Sequence, residues 1–417
     1  MEYLKFIGRP KFSTDSDFFY DFNDGVRIAV PEGRYHIDFV NMDNFLARSL
    51  EIEGPQIITS ERKDYIFWRI EIKQKDEIIC SFQYDAMGKN ICLNFLDGNM
   101  ALGEIIAAMQ GVEVFRQKHN CRLFVLMQEE FVFLFQKNYP EINFLACGVN
   151  EKIDNVYTKL PKYIYATYYF GRMGLIQRYG EIFKIYPADF RISGFLEYYF
   201  AKLGINITEW KAKKSLRYTE EIRKRLVQEP YVCVSGIAAT IQKEWHNGDG
   251  WSKTVNYLKD LGYRVICLDD NVAHSKSLAK ALDCGMEYFA GEYSWQERIN
   301  LLYYAVFFIG VSNDIGWLAW ALNKSIVLIG GYTLPYTEFY TPYRVINYRV
   351  CNGCFNDLSV WKSPEEICPC ENTDYYLECS KYISPVQVCR NIDKLMEDCH
   401  LIPPKDRAGK ECVMRNS

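Results

Sequence analysis

The chain has 417 residues, 49% of them apolar and 16% aromatic, with a formal net charge of −4. That length suits two or three domains with substantial cores, and the balance of charge gives no general attraction for nucleic acid or an anionic membrane surface. The opening MEYLKFIGRPKF lacks the apolar stretch of a signal peptide, and no apolar run approaches the roughly 20 residues needed to span a bilayer, so a cytoplasmic protein is expected.

From the N-terminus, residues 17 to about 88 read as β structure. Tyr65–Ile72 and Ile78–Tyr84 are rich in β-branched and aromatic residues, and the polar Lys73–Glu77 between them fits a hairpin turn. A small β domain used for stability or assembly is expected over residues 1–88.

The rhythm then changes. Ile91–Phe95 reads as a strand, Asp97-Gly98 as a turn, and Leu102, Ile105, Ile106, Met109, Val112 and Phe115 recur at helical spacing. Cys121–Met127 (strand), Glu129–Lys137 (helix) and Ile142–Cys147 (strand) continue an alternation that predicts a parallel, helix-covered sheet over residues 89–228. Within that span Ala166–Phe170 is strand-like, Ile192–Leu203 has helical spacing, and the basic Lys211–Arg225 reads as a solvated helix or linker.

A second α/β run follows Pro230. Strands are expected at Tyr231–Ser235, Val265–Leu268, Glu287–Ala290, Phe307–Val311 and Ser325–Ile329, and helices at Ser252–Leu261, Ser275–Leu282, Trp295–Ala305 and Ile315–Leu322. The chain therefore reads as α/β, with two Rossmann-like domains facing a cleft, the second over residues 229–345. Ligands in such sheets sit beyond the carboxyl ends of strands. A finger at 346–383 and a C-terminal helix and polar tail at 384–417 complete the expected organisation.

The strongest chemical signal is Cys351-Asn-Gly-Cys354 followed by Cys368-Pro-Cys370 and Cys379. Cysteines of a reducing compartment are either small buried hydrophobes or metal ligands. Two closely spaced groups over fewer than 30 residues suit one closed, structural, sulfur-only tetrahedral site. Zinc is the default metal for it and iron the other choice.

Phe307–Ser312 runs from a strand into Asn313-Asp314-Ile315-Gly316-Trp317, a helix start. Its unpaired backbone N–H groups and dipole suit a diphosphate, although a plain helix cap by Ser312 or Asn313 gives the same pattern. Lys243, in the loop after the first strand of the second half, is placed to stabilise a departing diphosphate or to be simply solvated. Glu104, at the start of the first helix of the first half, can serve as a general base or merely complement the helix N-terminus. The five histidines show no paired spacing, and no Walker, GxSxG or GxGxxG pattern is present, which argues against kinase, hydrolase and dehydrogenase chemistry.

Taken together, these residues resemble the bacterial autotransporter heptosyltransferases, cytoplasmic enzymes that glycosylate serines of autotransporter adhesins. The likeness runs through Tyr20-Asp-Phe-Asn-Asp-Gly25, Pro31-Glu-Gly33, Leu102-Gly103-Glu104 and Asp189-Phe-Arg191, then Asn247-Gly248, Gly250-Trp251 and Leu261–Val265. It is densest from Gln296-Glu-Arg298 to Trp317-Leu-Ala-Trp320, Glu338-Phe-Tyr-Thr-Pro342 and Cys351–Cys354, and it ends at Asn372-Thr-Asp374 and Glu378-Cys379.

The resemblance implies a GT-B fold, an ADP-heptose donor, an adhesin acceptor, a homo-oligomer assembled through the N-terminal β domain, and no catalytic metal. It places the structural metal, iron in the family, on Cys351, Cys354, Cys368 and Cys379, with Cys370 as an extra thiol that leaves the third ligand open. Lys243 falls at the donor-phosphate lysine, Ser312, Asn313, Asp314, Gly316 and Trp317 at the nucleotide-sugar loop, and Glu104 where the family has a catalytic aspartate. Ile237-Ala238-Ala239 replaces the small polar residues expected before the lysine. A transferase using another sugar or acceptor, and a weakly catalytic scaffold of the same fold, are the alternative readings.

Overall fold

The computed structural model describes residues 2–61, 63–96, 100–171, 194–217, 225–288, 293–355, 357 and 368–406. The expected Asp97-Gly98 turn, the Asp189-Phe-Arg191 motif and the end of the polar tail lie outside them. The chain forms two compact units, one of Met1–Pro187 with Phe195–Lys213 and one of Ala188–Gly194 with Lys214–Ser417.

The first unit contains helix α1 (Glu2–Ile7) and strands β1 (Phe12–Ser13), β2 (Phe19–Asn23), β3 (Arg27–Asn41), β4 (Ala47–Thr59), β5 (Trp68–Gln74), β6 (Glu77–Gln83) and β7 (Asn90–Asn94). It continues with α2 (Leu102–His119), β8 (Arg122–Gln128), α3 (Glu129–Phe135), β9 (Asn143–Cys147), α4 (Ile153–Tyr157), β10 (Ala166–Tyr169) and α5 (Phe195–Lys202). The β5–β6 hairpin turns at Lys75 and Asp76, both at positive φ (50° and 67°), as a turn matched to strand twist requires.

All ten strands join one sheet, in the order β6-β5-β3-β2-β10-β7-β8-β9, with β1 on β2 and β4 on β3. The boundary expected near residue 88 falls inside this sheet: Phe22 and Asn23 of β2 pair in parallel with Ala166 and Thr167 of β10. Local alternation marks the strands but says nothing about which distant strand each will pair with, which is why the continuity escapes the sequence. β7, β8, β9 and β10 are mutually parallel neighbours. Helix α2 is buried around most of its circumference, including Leu102, Ile105, Ile106, Met109 and Val112. A Cβ on its Gly111 would stand 2.7 Å from the Phe200 ring, so glycine permits the close approach of α5.

The second unit contains β11 (Tyr231–Ser235), α6 (Gly250–Asp260), β12 (Arg264–Cys267), α7 (Lys276–Asp283), β13 (Glu287–Tyr288), α8 (Trp295–Tyr304), β14 (Phe308–Gly310) and α9 (Asp314–Ala321). β15 (Ile326–Ile329), β16 (Tyr343–Val345), α10 (Glu378–Lys381) and α11 (Pro385–Asp398) complete it. Every strand pairing in its sheet is parallel. Such strands are covered on both faces and read as unbroken apolar runs, as Tyr231–Ser235 and Ile326–Ile329 do. One core packs Val255, Leu258, Leu278, Ala281, Val388, Ile392 and Leu395 of the helices against Val232, Val234, Val265, Ile309 and Val327 of the sheet. No described helix is long and apolar enough to cross a membrane.

Candidate functional site

Each sheet has one place where consecutive crossovers leave in opposite directions, and the candidate residues cluster at those two places. In the second unit the spatial order β13-β12-β11-β14-β15-β16 is 3-2-1-4-5-6 by chain order, so the reversal lies between β11 and β14. The loops after those strands diverge and leave a crevice at their carboxyl ends. The loop after β11 carries Lys243 and the loop after β14 carries Ser312 and Asn313. In the first unit β10 returns beside β7, and the helix after β7 carries Glu104.

Asn313 is the N-cap of α9: its Oδ1 accepts the Gly316 N–H at 2.8 Å. Its Nδ2 donates to Ser235 Oγ at 2.6 Å and to the Ile237 carbonyl at 2.7 Å, joining the two loops of the reversal point. Ser235 in turn donates to Asp269 Oδ1 at 2.6 Å, and the Gly236 N–H reaches Asp269 Oδ2 at 2.7 Å. Because Asn313 can only donate to Ser235, the serine hydrogen is committed to Asp269. Both carboxylate oxygens then accept, which favours the charged form, while burial is the larger influence and pushes that carboxyl up from its ordinary value.

Asp314 begins the first turn of α9 and Gly316 presents its N–H to the cap. Trp317 is only 4% exposed and packs edge-on against Trp320 and Phe339, with ring centroids 5.6 and 5.1 Å away. Its indole therefore supports the loop from the core side.

Lys243 ends a single helical turn, Ile241–Lys243. Its ammonium lies over the Phe355 ring, 5.7 Å from the centroid. It also lies within electrostatic range of Glu338, a buried carboxylate paired with Arg344 at 3.3 Å. Burial opposes charge on Glu338, but Arg344, Lys243 and the nearby Ser312 and Thr333 hydroxyls more than offset it, holding the carboxyl below its ordinary value. Arg344 is fixed from behind by the Thr333 carbonyl and hydroxyl, at 2.8 and 2.7 Å. Ser312 Oγ and Glu338 Oε1 are buried and make no well-formed hydrogen bond among the described residues.

Glu104 occupies the third position of α2 and its Oε2 accepts the Ala101 N–H at 3.1 Å. Alanine has no side-chain acceptor, so only this half of a capping box forms. The carboxylate lies within electrostatic range of the buried Tyr198, whose hydroxyl is pushed well up by burial first, then by Asp64 and Glu104.

The five finger cysteines are gathered in one neighbourhood. Burial and the surrounding thiols push Cys354 up to about 12 and raise Cys370 and Cys379. Among the described residues, however, no three His, Cys, Asp or Glu side chains converge with the geometry to hold a metal ion. The four-thiolate centre expected at Cys351, Cys354, Cys368 and Cys379 is thus assembled in proximity but not in ligand geometry. The donor chemistry fits a soft metal, since every candidate atom in the cluster is sulfur.

Sequence reasoning missed Asp269, Arg344 and Ser380, and gave Glu338 no role. An acid immediately beyond a buried strand was the available signal for Asp269; nothing local marks the other two.

Residues 192–360 match glycosyltransferase family 9 (heptosyltransferase). The chain is 36% identical to autotransporter heptosyltransferase Aah of Escherichia coli, over 93% of this chain and 96% of that one. It is 30% identical to BimC of Burkholderia thailandensis, an inactive autotransporter heptosyltransferase, over 92% and 87% of the two chains. The solved structure of the iron-containing dodecameric glycosyltransferase TibC from enterotoxigenic E. coli superposes with a TM-score of 0.78 at 30% identity, covering 94% of this chain and 98% of that one. TibC has also been solved in complex with ADP-D-beta-D-heptose, and that structure matches with a TM-score of 0.77.

Proposed function

The chain belongs to the autotransporter heptosyltransferases and has their GT-B fold, and from that premise we propose that it transfers a heptose from ADP-heptose to serine hydroxyls of an autotransporter-type adhesin, with inversion. The observation that carries this reading is the coincidence of the candidate residues with the reversal point of each sheet.

In the proposed reaction Glu104 accepts the proton of the serine hydroxyl as its oxygen bonds to the anomeric carbon. The bond from that carbon to the diphosphate breaks on the opposite face and ADP departs. Lys243 and the N-terminus of α9, set by Asn313 with Asp314 and Gly316, stabilise the charge that collects on the diphosphate. Ser312, in the loop that leads into α9, is proposed to contact the donor beside them. The transition state has oxocarbenium character, so leaving-group stabilisation carries more of the rate than nucleophile strength.

The structural metal is proposed on Cys351, Cys354, Cys368 and Cys379, as iron in keeping with TibC. When bound it supplies a crosslink that folds a short segment with little core of its own. Self-association is supported by exposed apolar side chains on the N-terminal strands and their connection, including Phe45 (73%) and Leu46 (70%).

The test is intact mass spectrometry of a serine-bearing adhesin passenger incubated with the purified chain and ADP-heptose. Addition of heptose residues is expected. Binding of ADP-heptose with no mass gain would place the chain functionally beside BimC instead.

A further inference from the structure

The cysteine segment and the lysine loop are physically joined. Ser380, which follows Cys379 in α10, is 1% exposed and works in both directions. Its Oγ accepts the His246 N–H at 2.7 Å and donates to the Glu244 carbonyl. Beside it, Asn247 Nδ2 donates to the Lys381 carbonyl at 3.1 Å, and the indole N–H of the buried Trp245 donates to the Ile383 carbonyl at 3.0 Å. Four hydrogen bonds thus join residues 244–247, immediately after Lys243, to residues 380–383.

The other end of the cysteine segment reaches the same lysine. Phe355, the neighbour of Cys354, lies under the Lys243 ammonium, and its N–H is held by the Tyr332 carbonyl at 3.1 Å. Gly353 N–H bonds to the Gly331 carbonyl at 2.7 Å. A Cβ on Gly331 would stand 2.4 Å from the Cys379 carbonyl oxygen, so the two flanks of the segment meet against this glycine.

We propose that Ser380 is a positioning residue for Lys243, and that through it the fold of the cysteine segment sets the affinity of the donor diphosphate although no cysteine touches the donor. The proposal rests on the reading of Lys243 as the diphosphate lysine. A serine hydroxyl that satisfies one half-buried donor and one half-buried acceptor leaves both without that partner when it is removed. The loop then loses the register that holds Lys243 over Phe355.

The experiment titrates ADP into the full chain by calorimetry and follows hydrogen exchange of the peptide over residues 240–247. In Ser380→Ala, ADP should bind about tenfold more weakly, the scale of losing two half-buried hydrogen bonds that hold the loop. Exchange of the loop should rise, and metal content by elemental analysis should not change. Ser380→Thr, which keeps the hydroxyl, should recover most of the affinity. Cys379→Ser, or treatment with a chelator, should loosen the same peptide and weaken ADP in the same way. Unchanged ADP affinity and loop exchange in Ser380→Ala would overturn the coupling while leaving the donor reading intact. A wild-type chain that binds no ADP would overturn the donor reading and with it the claim about affinity.

Discussion

The Glu104 carboxylate accepts the backbone N–H of Ala101 at 3.1 Å, closing the first turn of its own helix with one oxygen. The proposed base is therefore held by its own helix, and its capping and chemical roles can be separated. Glu104→Gln preserves the amide contact through its carbonyl oxygen but cannot take a proton. Transfer should fall by at least about 100-fold, the scale of general base catalysis, while ADP affinity and melting temperature stay near wild type. Glu104→Asp should retain activity but lower kcat, because the oxygen retreats by one methylene. Single-turnover kinetics with matched ADP titrations distinguish the two.

Lys243→Ala should raise the dissociation constant for ADP by about 10- to 100-fold, the range expected when a charge-assisted contact to phosphate is lost. It should also lower kcat. Adenosine, which lacks the diphosphate, should bind both proteins equally. An identical loss for adenosine would show that the substitution damages the fold instead of the phosphate contact.

Asp269→Asn turns one carboxylate oxygen into a donor where Ser235 and Gly236 both supply hydrogens. We expect a loss of about 1–3 kcal/mol in unfolding free energy, as for an unsatisfied buried group. Combining it with Asn313→Ala should cost less than the sum of the single changes, since both act on the Ser235 hydroxyl. Denaturant titration of the four proteins measures the coupling.

Glu338 and Arg344 bury opposite charges with side chains 0% and 6% exposed. Removing one partner strands the other, so Arg344→Met should destabilise the second unit by about 3–5 kcal/mol. The doubly apolar Glu338→Leu, Arg344→Met should recover much of that loss. Thermal unfolding of the single and double variants checks this expectation.

His119 lies against Phe115, Tyr65 and Tyr84 at centroid distances of 4.5, 5.2 and 5.8 Å, and its Nε2 has no hydrogen-bond partner among the described residues. Burial, helped by Lys118, pushes the imidazole down to about 4. An unfolded chain takes up this proton near 6.5, so between about 6.5 and 4 the unfolded state binds more protons than the native one. Stability from the neutral ring is complete above that window and declines as pH falls through it. His119→Phe should flatten this part of the pH–stability curve relative to wild type, as read by denaturant unfolding at successive pH values.

Much of the architecture was written in local periodicity. Tyr231–Ser235 forms the strand expected of it, and the helical spacing from Leu102 to Phe115 becomes α2 with four further residues. Local patterning could not show that Phe22 would pair with Ala166, because hydrogen bonds between strands leave no mark on side-chain alternation. The site divides along the same line. Lys243 and Asn313 sit where a strand–loop–helix pattern puts reactive residues, whereas Ser380 acquires its partners, His246 and Glu244, only when chain segments more than 130 residues apart meet. The cysteine spacing showed which thiols would gather but not how they would be arranged around an ion.

The continuity of the ten-stranded sheet means that the N-terminal strands cannot be treated as a detachable cassette. β10 is hydrogen-bonded to β2 on one side and to β7, the strand leading to Glu104, on the other. Trimming the chain before β7 would bare a row of backbone donors and acceptors along β10, an invitation to pair with any passing strand. A shortened version would therefore have to be resurfaced along that seam before it could serve as a minimal transferase.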